Sequence, residues 1–362
     1  MNDFIVVGGG LSGMQVAREL SAGGGRVTLL ERGELGREAS WAGGGILSPL
    51  HPWRNDDAVT ALARWSQRYF PRFAAELAEE TGIDPEWLRS GLLIAEQTEA
   101  WSAIPWAQRW DVAIEKVSAR RLGELEPGLA PSGDGGALWL PEVAQIRNPR
   151  LLKALAQSLA VRGVAIREHA EVLGFLERDE RVIGVRTPTE TLHADAVVVT
   201  AGAWTAALLG SMADKWQIAP VRGQMLLFRA APGQVRHIVE RGEHYLVPRR
   251  DGRVLAGSTL EYVGFDKATT QQAYDELHAA AVALIPALAQ CPVERHWAGL
   301  RPGSAQGFPV IGEHPRRRGL FVNAGHFRNG VVTGPASARL LADIVFRRKP
   351  CVDPAPYRPQ AA

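Results

Sequence analysis

Cysteine is scarce in this chain, with only Cys291 and Cys351 among 362 residues. Two thiols so far apart build neither a disulfide framework nor a metal cluster, so no metal is expected and a reducing, cytoplasmic compartment is. Charge of one sign is also lacking. Lys and Arg number 41 against 39 Asp and Glu, a formal net charge of +2, which gives no overall field for a nucleic acid. The basic clusters at residues 316–318 (RRR) and 347–349 (RRK) are short and read as solvated turns. The apolar runs are too short to span a bilayer, there is no internal repeat or low-complexity tract, and no secretory signal is expected ahead of a first strand that starts near Met1. What remains is a chain with 46% hydrophobic and 22% charged residues. That composition and length suit a soluble globular protein of one large or two interleaved domains.

The sharpest local signal is DFIVVGGGLSGMQVARELSAGGGRVTLLER. It predicts a strand over residues 4–7, a glycine turn, an amphipathic helix over 11–21 and a strand over 26–30 that ends on Glu31. Gly8, Gly10 and Gly13 satisfy G-x-G-x-x-G in this strand, turn, helix, strand context. Gly8 permits the tight turn, Gly10 lets a pyrophosphate approach the backbone, and Gly13 lets the helix pack on the sheet. Leu11 and Ser12 open the helix whose amides face the phosphates. Glu31, with Arg32 beside it, stands where a carboxylate accepts both ribose hydroxyls of an adenosine. A carboxylate there would repel a 2′-phosphate, which disfavours NADP.

Further small-residue segments extend the site. REASWAGGGILSPLHPW places Ala39, Ser40, Gly44, Gly45 and Ile46 where backbone can lie against a ligand. HADAVVVTAGAWT predicts a strand over 197–200 ending on Ala201 and Gly202. RGLFVNAGHFRNGVVTGPASARLLADIVFRR predicts a strand over 320–323, a glycine turn, and a helix over about 332–347. His326, Phe327, Asn329, Gly330, Val331 and Val332 fall at that junction, and Val172 is assigned to the cofactor site as well. A dinucleotide long enough to touch both ends of the chain is more naturally FAD than NAD.

Residues 83–143 are Trp-rich and interrupted by proline, whereas 221–301 read as strands, with Asp251 and Gly252 as a hairpin turn and one helix over 269–285. The Pro-rich tail from residue 349 reads as irregular. These features predict an α/β chain in which a second domain, on a mostly antiparallel sheet, is inserted in pieces between parts of the first.

The stretches VVGGGLSGMQVARELSAGG, YLVPRRDGRVLAGST, WAGLRPGSAQGFPVIG and NAGHFRNGVVTGPASARLLADI together resemble the D-amino acid oxidase family of FAD-dependent amine oxidoreductases. The resemblance covers essentially the whole chain, and it implies a Rossmann-like FAD-binding domain assembled from residues 1–82, 144–217 and 305–362, with an inserted α+β substrate-binding domain from 83–143 and 218–304. It implies an enzyme that oxidises a small amino acid at its α-carbon, passes hydride to flavin N5, and reoxidises the flavin with dioxygen to give peroxide. It also implies, in many members, a homotetramer, and for a glycine substrate an imine usable in thiamine thiazole synthesis.

That chemistry needs the substrate carboxylate clamped so that the α-C–H faces the ring. A guanidinium binds a carboxylate through two parallel hydrogen bonds, which makes Arg301 in WAGLRPG the first choice. The resemblance gives the same role to Arg301, a carboxylate contact to Tyr245, and a place beside the substrate to Arg328. It puts Leu260 in the pocket lining, and His244 is placed there too. No general base is required, so neither His244 nor His326 is assigned as a proton acceptor. RPGSAQGFPVIG has no cysteine where related sarcosine oxidases attach their flavin, so noncovalent FAD is expected. Two other readings stand beside this one. They are a D-amino acid dehydrogenase with a quinone acceptor, and a tRNA-modifying FAD module drawing on the C-terminal basic clusters.

Overall fold

In a computed structural model, residues 2–131, 135–213 and 215–360 are described. Hydrophobic runs such as FIVV and AVVV carry too much apolar surface for a strand with one wet face, and they form the centre of a sheet covered on both sides. Its order is Val310–Glu313, Leu320–Ala324, Ala196–Val199, Asp3–Val7, Arg26–Leu30, Ala165–Arg167. All neighbours are parallel except the first pair. Side chains alternate across it as the pleat requires. Phe4 and Val6 point into a core made with the helices Leu11–Ala22, Asp57–Thr81, Asn148–Val161 and Gly330–Val345. Ile5 and Val7 point into a second core closed by Leu209, Trp216 and the three-stranded sheet of Gly174–Arg178, Arg181–Arg186 and Thr191–His193.

The other large sheet has eight strands, in the order Val293–Gly303, Ala219–Arg229, Arg253–Gly257, His244–Pro248, Ile238–Arg241, Leu92–Ile94, Ala137–Leu140, Glu115–Val117. Pairing is antiparallel except between Ile238–Arg241 and Leu92–Ile94. The Asp251, Gly252 turn joins two of its strands, with Gly252 at φ 86°, a conformation glycine adopts without strain. The helix Gln271–Leu284 is capped by the Thr270 hydroxyl, which accepts from the Ala273 amide at 3.2 Å. It buries Leu277, Ala281 and Leu284 against Leu226, Phe228 and Leu246 on one face. The opposite face carries Met225, Tyr245, Leu255 and Trp297, which meet Ile46, Leu50 and Trp53 from the first half of the molecule. Two polar ties fasten this seam: Trp297 Nε1 donates to Ala42 O at 3.1 Å, and Arg249 Nη2 donates to Gly44 O at 2.8 Å.

Some element boundaries differ from expectation. The last helix starts at Gly330, two residues early, because a 3-10 turn at Phe327–Asn329 feeds directly into it. The Trp-rich segment contributes three short strands to the eight-stranded sheet, and strands of three or four residues are too brief to show alternation. The tail is mostly irregular yet anchored, for Tyr357 is 1% exposed and its hydroxyl donates to Ala58 O at 2.7 Å.

Gly13 shows how tightly the first helix seats. A Cβ there would lie 1.8 Å from Gly8 O and 2.7 Å from the Thr200 hydroxyl. Gly13→Ala is therefore expected to push the helix off the sheet, costing about 1–3 kcal/mol. The readouts are a lower thermal midpoint and loss of yellow colour on purification.

Candidate active site

Two cavities adjoin at the seam. The larger, about 410 Å³, runs from the first glycine turn to the N-terminus of the last helix. Gly8, Gly10, Leu11 and Ser12 line it at one end, with Glu31 and Arg32 beyond the strand Arg26–Leu30. Ala39 and Ser40, then Val172, then Ala201 and Gly202 form its walls. His326, Phe327, Gly330 and Val331 close the far end. Gly13 and Val332 lie behind this lining: Gly13 packs the helix on the turn, and Val332 is 1% exposed in the core. Gly44, Gly45, Ile46 and Asn329 face the smaller cavity instead.

Both helix N-termini at the large cavity lack a side-chain cap from their own N-cap residues, Gly10 and Asn329. First-turn amides have no partner within a helix, so these ends offer donors to an anion. Ser40 Oγ takes the Leu11 amide at 2.8 Å and fixes the loop over the turn. Glu31 does more than face the cavity: it accepts from the Gly9 amide at 2.7 Å and the Gly33 amide at 2.9 Å, and its remaining lone pairs leave capacity for ribose hydroxyls. Arg32 stacks over the Trp204 ring, 3.7 Å from its centroid.

The smaller cavity, about 90 Å³, is lined by Tyr245, Arg301, Arg328, Ser258 and Gly223 among others. Arg301 projects from Val293–Gly303 across Gly223, where a Cβ would lie 2.1 Å from Nη1. Its Nη1 donates to Thr259 O at 3.0 Å and Arg222 O at 3.3 Å, and its Nη2 donates to Ser258 Oγ at 2.8 Å. All three acceptors are neutral, and among the described residues no carboxylate reaches ion-pair distance of this guanidinium. Desolvation by burial, reinforced by Arg328, holds its pKa below the ordinary arginine value. A guanidinium so placed beside an open space has the chemistry to bind a carboxylate through two parallel hydrogen bonds.

A family profile described as "DAO: FAD dependent oxidoreductase" matches residues 3–344. Glycine oxidase of Pseudomonas aeruginosa is 46% identical over 356 residues, covering 98% of both chains. Glycine oxidase of Geobacillus kaustophilus is 33% identical over 367 residues, covering 98% of this chain and 96% of its own. The crystal structure of glycine oxidase from Geobacillus kaustophilus superposes with a TM-score of 0.93 at 31% identity, over 99% of each chain. The chain belongs to the FAD-dependent oxidoreductase family. Its parallel sheet is thus the Rossmann-like FAD-binding part, and the eight-stranded sheet is the inserted substrate-binding part.

The large cavity fits the cofactor on its own terms. Gly8 takes φ 110° with no room for a Cβ, which would sit 2.5 Å from Thr200 O, so the turn approaches a ligand bare of side chains. In this oxidoreductase the helix starting at Leu11 would meet the FAD pyrophosphate, and the helix starting at Gly330 would meet the far, flavin end. His326 is buried between Asn323 Oδ1 at 2.8 Å, Thr333 Oγ1 at 3.0 Å and Ser12 Oγ at 3.3 Å. Burial pushes its pKa down to about 4, so the ring is neutral at working pH and ties the two helix starts together.

Other expected pocket residues sit differently. Arg328 lines both cavities, but its Nη1 pairs with Glu243 at 2.8 Å, which answers its charge from outside. Leu260 is 44% exposed, and His244 Nε2 lies 3.1 Å from Glu276 Oε1; neither lines the two cavities. His244 is turned away because it alternates with Tyr245, and side chains of adjacent strand residues face opposite sides. Ser258, Glu243 and Gly223 escaped the sequence reading. Only Gly223 left a signal there, as a glycine inside a strand pattern, which marks a close approach.

Arg301→Lys removes the planar fork while keeping charge. Loss of a charged hydrogen bond of this kind costs about 1.5–3 kcal/mol, roughly a ten- to hundredfold rise in KM, with absorbance of bound flavin retained. His326 carries a pH signature in stability. Its folded pKa of about 4 lies below the ordinary histidine value of 6.5, so the unfolded chain binds the proton first, and stability falls as pH drops through that window. His326→Gln is expected to flatten that part of the fall, read from melting temperature against pH.

Proposed function

We propose that this oxidoreductase carries out oxidative deamination of glycine and other small amines, such as sarcosine and small D-amino acids, with dioxygen and water giving the 2-oxo acid, hydrogen peroxide and ammonia, or methylamine where the substrate is sarcosine. The observation carrying this reading is the Arg301 guanidinium, answered only by neutral oxygens, at a cavity of about 90 Å³ that adjoins the cofactor cavity. A water needs roughly 10–15 Å³ on this measure, so the space suits a molecule of a few heavy atoms and not a large side chain.

Ser258 and the two carbonyls hold the guanidinium from behind, so the Arg301 fork meets the substrate carboxylate without having to reorganise. Among the described residues the Tyr245 hydroxyl has only a weak sulfur contact, to Met225 Sδ at 3.5 Å, and is available to donate to the same carboxylate. Arg328, braced by Glu243, closes the pocket at the flavin end. FAD, when bound, would supply a two-electron acceptor for hydride from the substrate α-carbon and an outlet for those electrons to dioxygen. A neutral amine needs no side-chain base for this step, and the neutral, fully engaged His326 agrees with that. In the absence of a cysteine in RPGSAQGFPVIG, the FAD is held noncovalently.

Several wider readings belong to this proposal. Residues 1–82, 144–217 and 305–362 form the FAD domain, with 83–143 and 218–304 as the substrate domain. The chain works as a homotetramer and supplies an imine for thiamine thiazole synthesis. Free Cys291 and Cys351 support a reducing cytoplasm, and no described helix is long and apolar enough to cross a membrane. The RNA-directed alternative gains no support, since Arg317 pairs with Glu177 at 2.9 Å and Arg348 with Asp343 at 3.0 Å.

The purified protein is expected to be yellow and to release hydrogen peroxide under air on addition of glycine, sarcosine or D-alanine. Bleaching by substrate without peroxide would favour a quinone-coupled dehydrogenase, and a colourless preparation that binds no added FAD would sink the reading altogether.

A further inference from the structure

The wall between the substrate cavity and a neighbouring one is a single stretch of irregular chain. Ile46, Ser48 and Leu50 face the cavity of about 90 Å³ that holds Arg301. Leu47, Ser48, Pro49 and Pro52 face a different cavity, of about 650 Å³, on the other side. Ser48 lines both, so one residue's thickness separates a small enclosure from a large one.

A stretch without regular secondary structure keeps such a position only if something fastens it. Its start is tied by the Leu47 amide to Ala144 O at 2.9 Å and by Gln67 Nε2 to Leu47 O at 2.8 Å. Its end is tied by the Asn55 side-chain amide to Leu50 O at 3.2 Å and by Arg54 to Glu99. Between them His51 turns inward at φ 42°, an uncommon left-handed conformation for a non-glycine residue, and is 3% exposed. Its Nδ1 lies 2.7 Å from Glu240 Oε1, and its Nε2 lies 3.6 Å from Glu96.

Glu240 is 0% exposed in the middle of Ile238–Arg241. It is the direct cross-strand partner of Tyr245, so the two side chains share the sheet face that looks onto the substrate. Neither Glu240 oxygen has another polar partner among the described residues. A carboxyl group buried this way holds the imidazole that answers it, because separating the two would strand unsatisfied polar groups in a dry interior. The left-handed turn at His51 is what brings that imidazole in from the wall.

We propose that the buried His51, Glu240 contact sets the size of substrate this enzyme accepts, by pinning the wall at residues 47–52 between the two cavities. Neither residue touches substrate; both are positioning residues acting through Ser48 and Leu50. Released, the wall yields toward the larger cavity, and substrates with bulky side chains gain room beside Arg301. This rests on the proposed amine oxidase activity, and the experiment separates the two.

The test compares kcat/KM for glycine and D-phenylalanine in the wild-type holoenzyme, in Glu240→Gln, and in the double variant His51→Leu/Glu240→Leu. The double variant fills the site with apolar groups of similar volume and leaves no stranded charge. The ratio of D-phenylalanine to glycine is expected to rise about tenfold or more in the double variant, mainly through KM, with bound-flavin absorbance unchanged. Glu240→Gln keeps a hydrogen-bonding group of the same shape and should lie between the two. An unchanged ratio, or equal losses on both substrates, would overturn the proposal. If the wild type oxidises neither substrate, the activity reading fails on its own. The wall is then judged by titrating acetate and phenylacetate against flavin absorbance: the double variant should gain affinity for phenylacetate relative to acetate, and no gain would overturn it.

Discussion

Arg301 carries its charge into the seam between two sheets and meets only neutral oxygens there, from Ser258, Thr259 and Arg222. A cation held so costs folding free energy, since it gives up hydration without gaining a counter-ion. The surroundings reduce that cost. Gly223 leaves a slot under the guanidinium, and the long pairing of Ala219–Arg229 with Val293–Gly303 keeps the slot in register. The same strand places Trp297 four residues earlier, on the same face, where it locks onto Ala42 O. One strand therefore sets both the ligand's anchor and the fit of the substrate sheet against the cofactor loop. An anion that occupies the cavity restores the missing charge, so binding and stability are linked through this group.

A different kind of donor rules the cofactor cavity. Its donors come from backbone at the starts of the helices Leu11–Ala22 and Gly330–Val345, with the neutral imidazole of His326 between them. Fixed amide dipoles stabilise negative charge without titrating, so the field at the flavin end stays constant across the working pH range. The charged side chains nearby are answered locally, Arg328 by Glu243 and Arg32 by Trp204 and Glu38.

Much of this was legible in the chain itself. The glycine spacing, the acid at the end of the second strand and the repeated strand, turn, helix pattern at the far end all encode local rules, and the backbone obeys them. Arg301 was singled out by its chemistry, and the structure places it in the lining of the smaller cavity. What was hidden is whatever depends on pairing across distance. Ser258 and Glu243 look like any surface polar residue until strand register brings one under Arg301 and the other beside Arg328. His244 and Leu260 illustrate the reverse case: the resemblance put Leu260 in the pocket lining and His244 was placed there too, yet Leu260 is exposed and His244 faces Glu276 from the other side of its strand. The short strands between residues 88 and 140 carried no period to read, and their place was decided by partners elsewhere in the chain.

The strand order of the parallel sheet has a consequence for how the protein is made. Asp3–Val7 lies between Arg26–Leu30 and Ala196–Val199, and Leu320–Ala324 pairs outside the latter. During synthesis the first glycine turn is made well before the strand Ala196–Val199 that flanks it, and that strand before the helix Gly330–Val345. Until then the early segment exposes apolar strand surface with no neighbour on one side. A cavity that needs helix starts as far apart in the chain as Leu11 and Gly330 cannot take up its cofactor while only the first of them has been made.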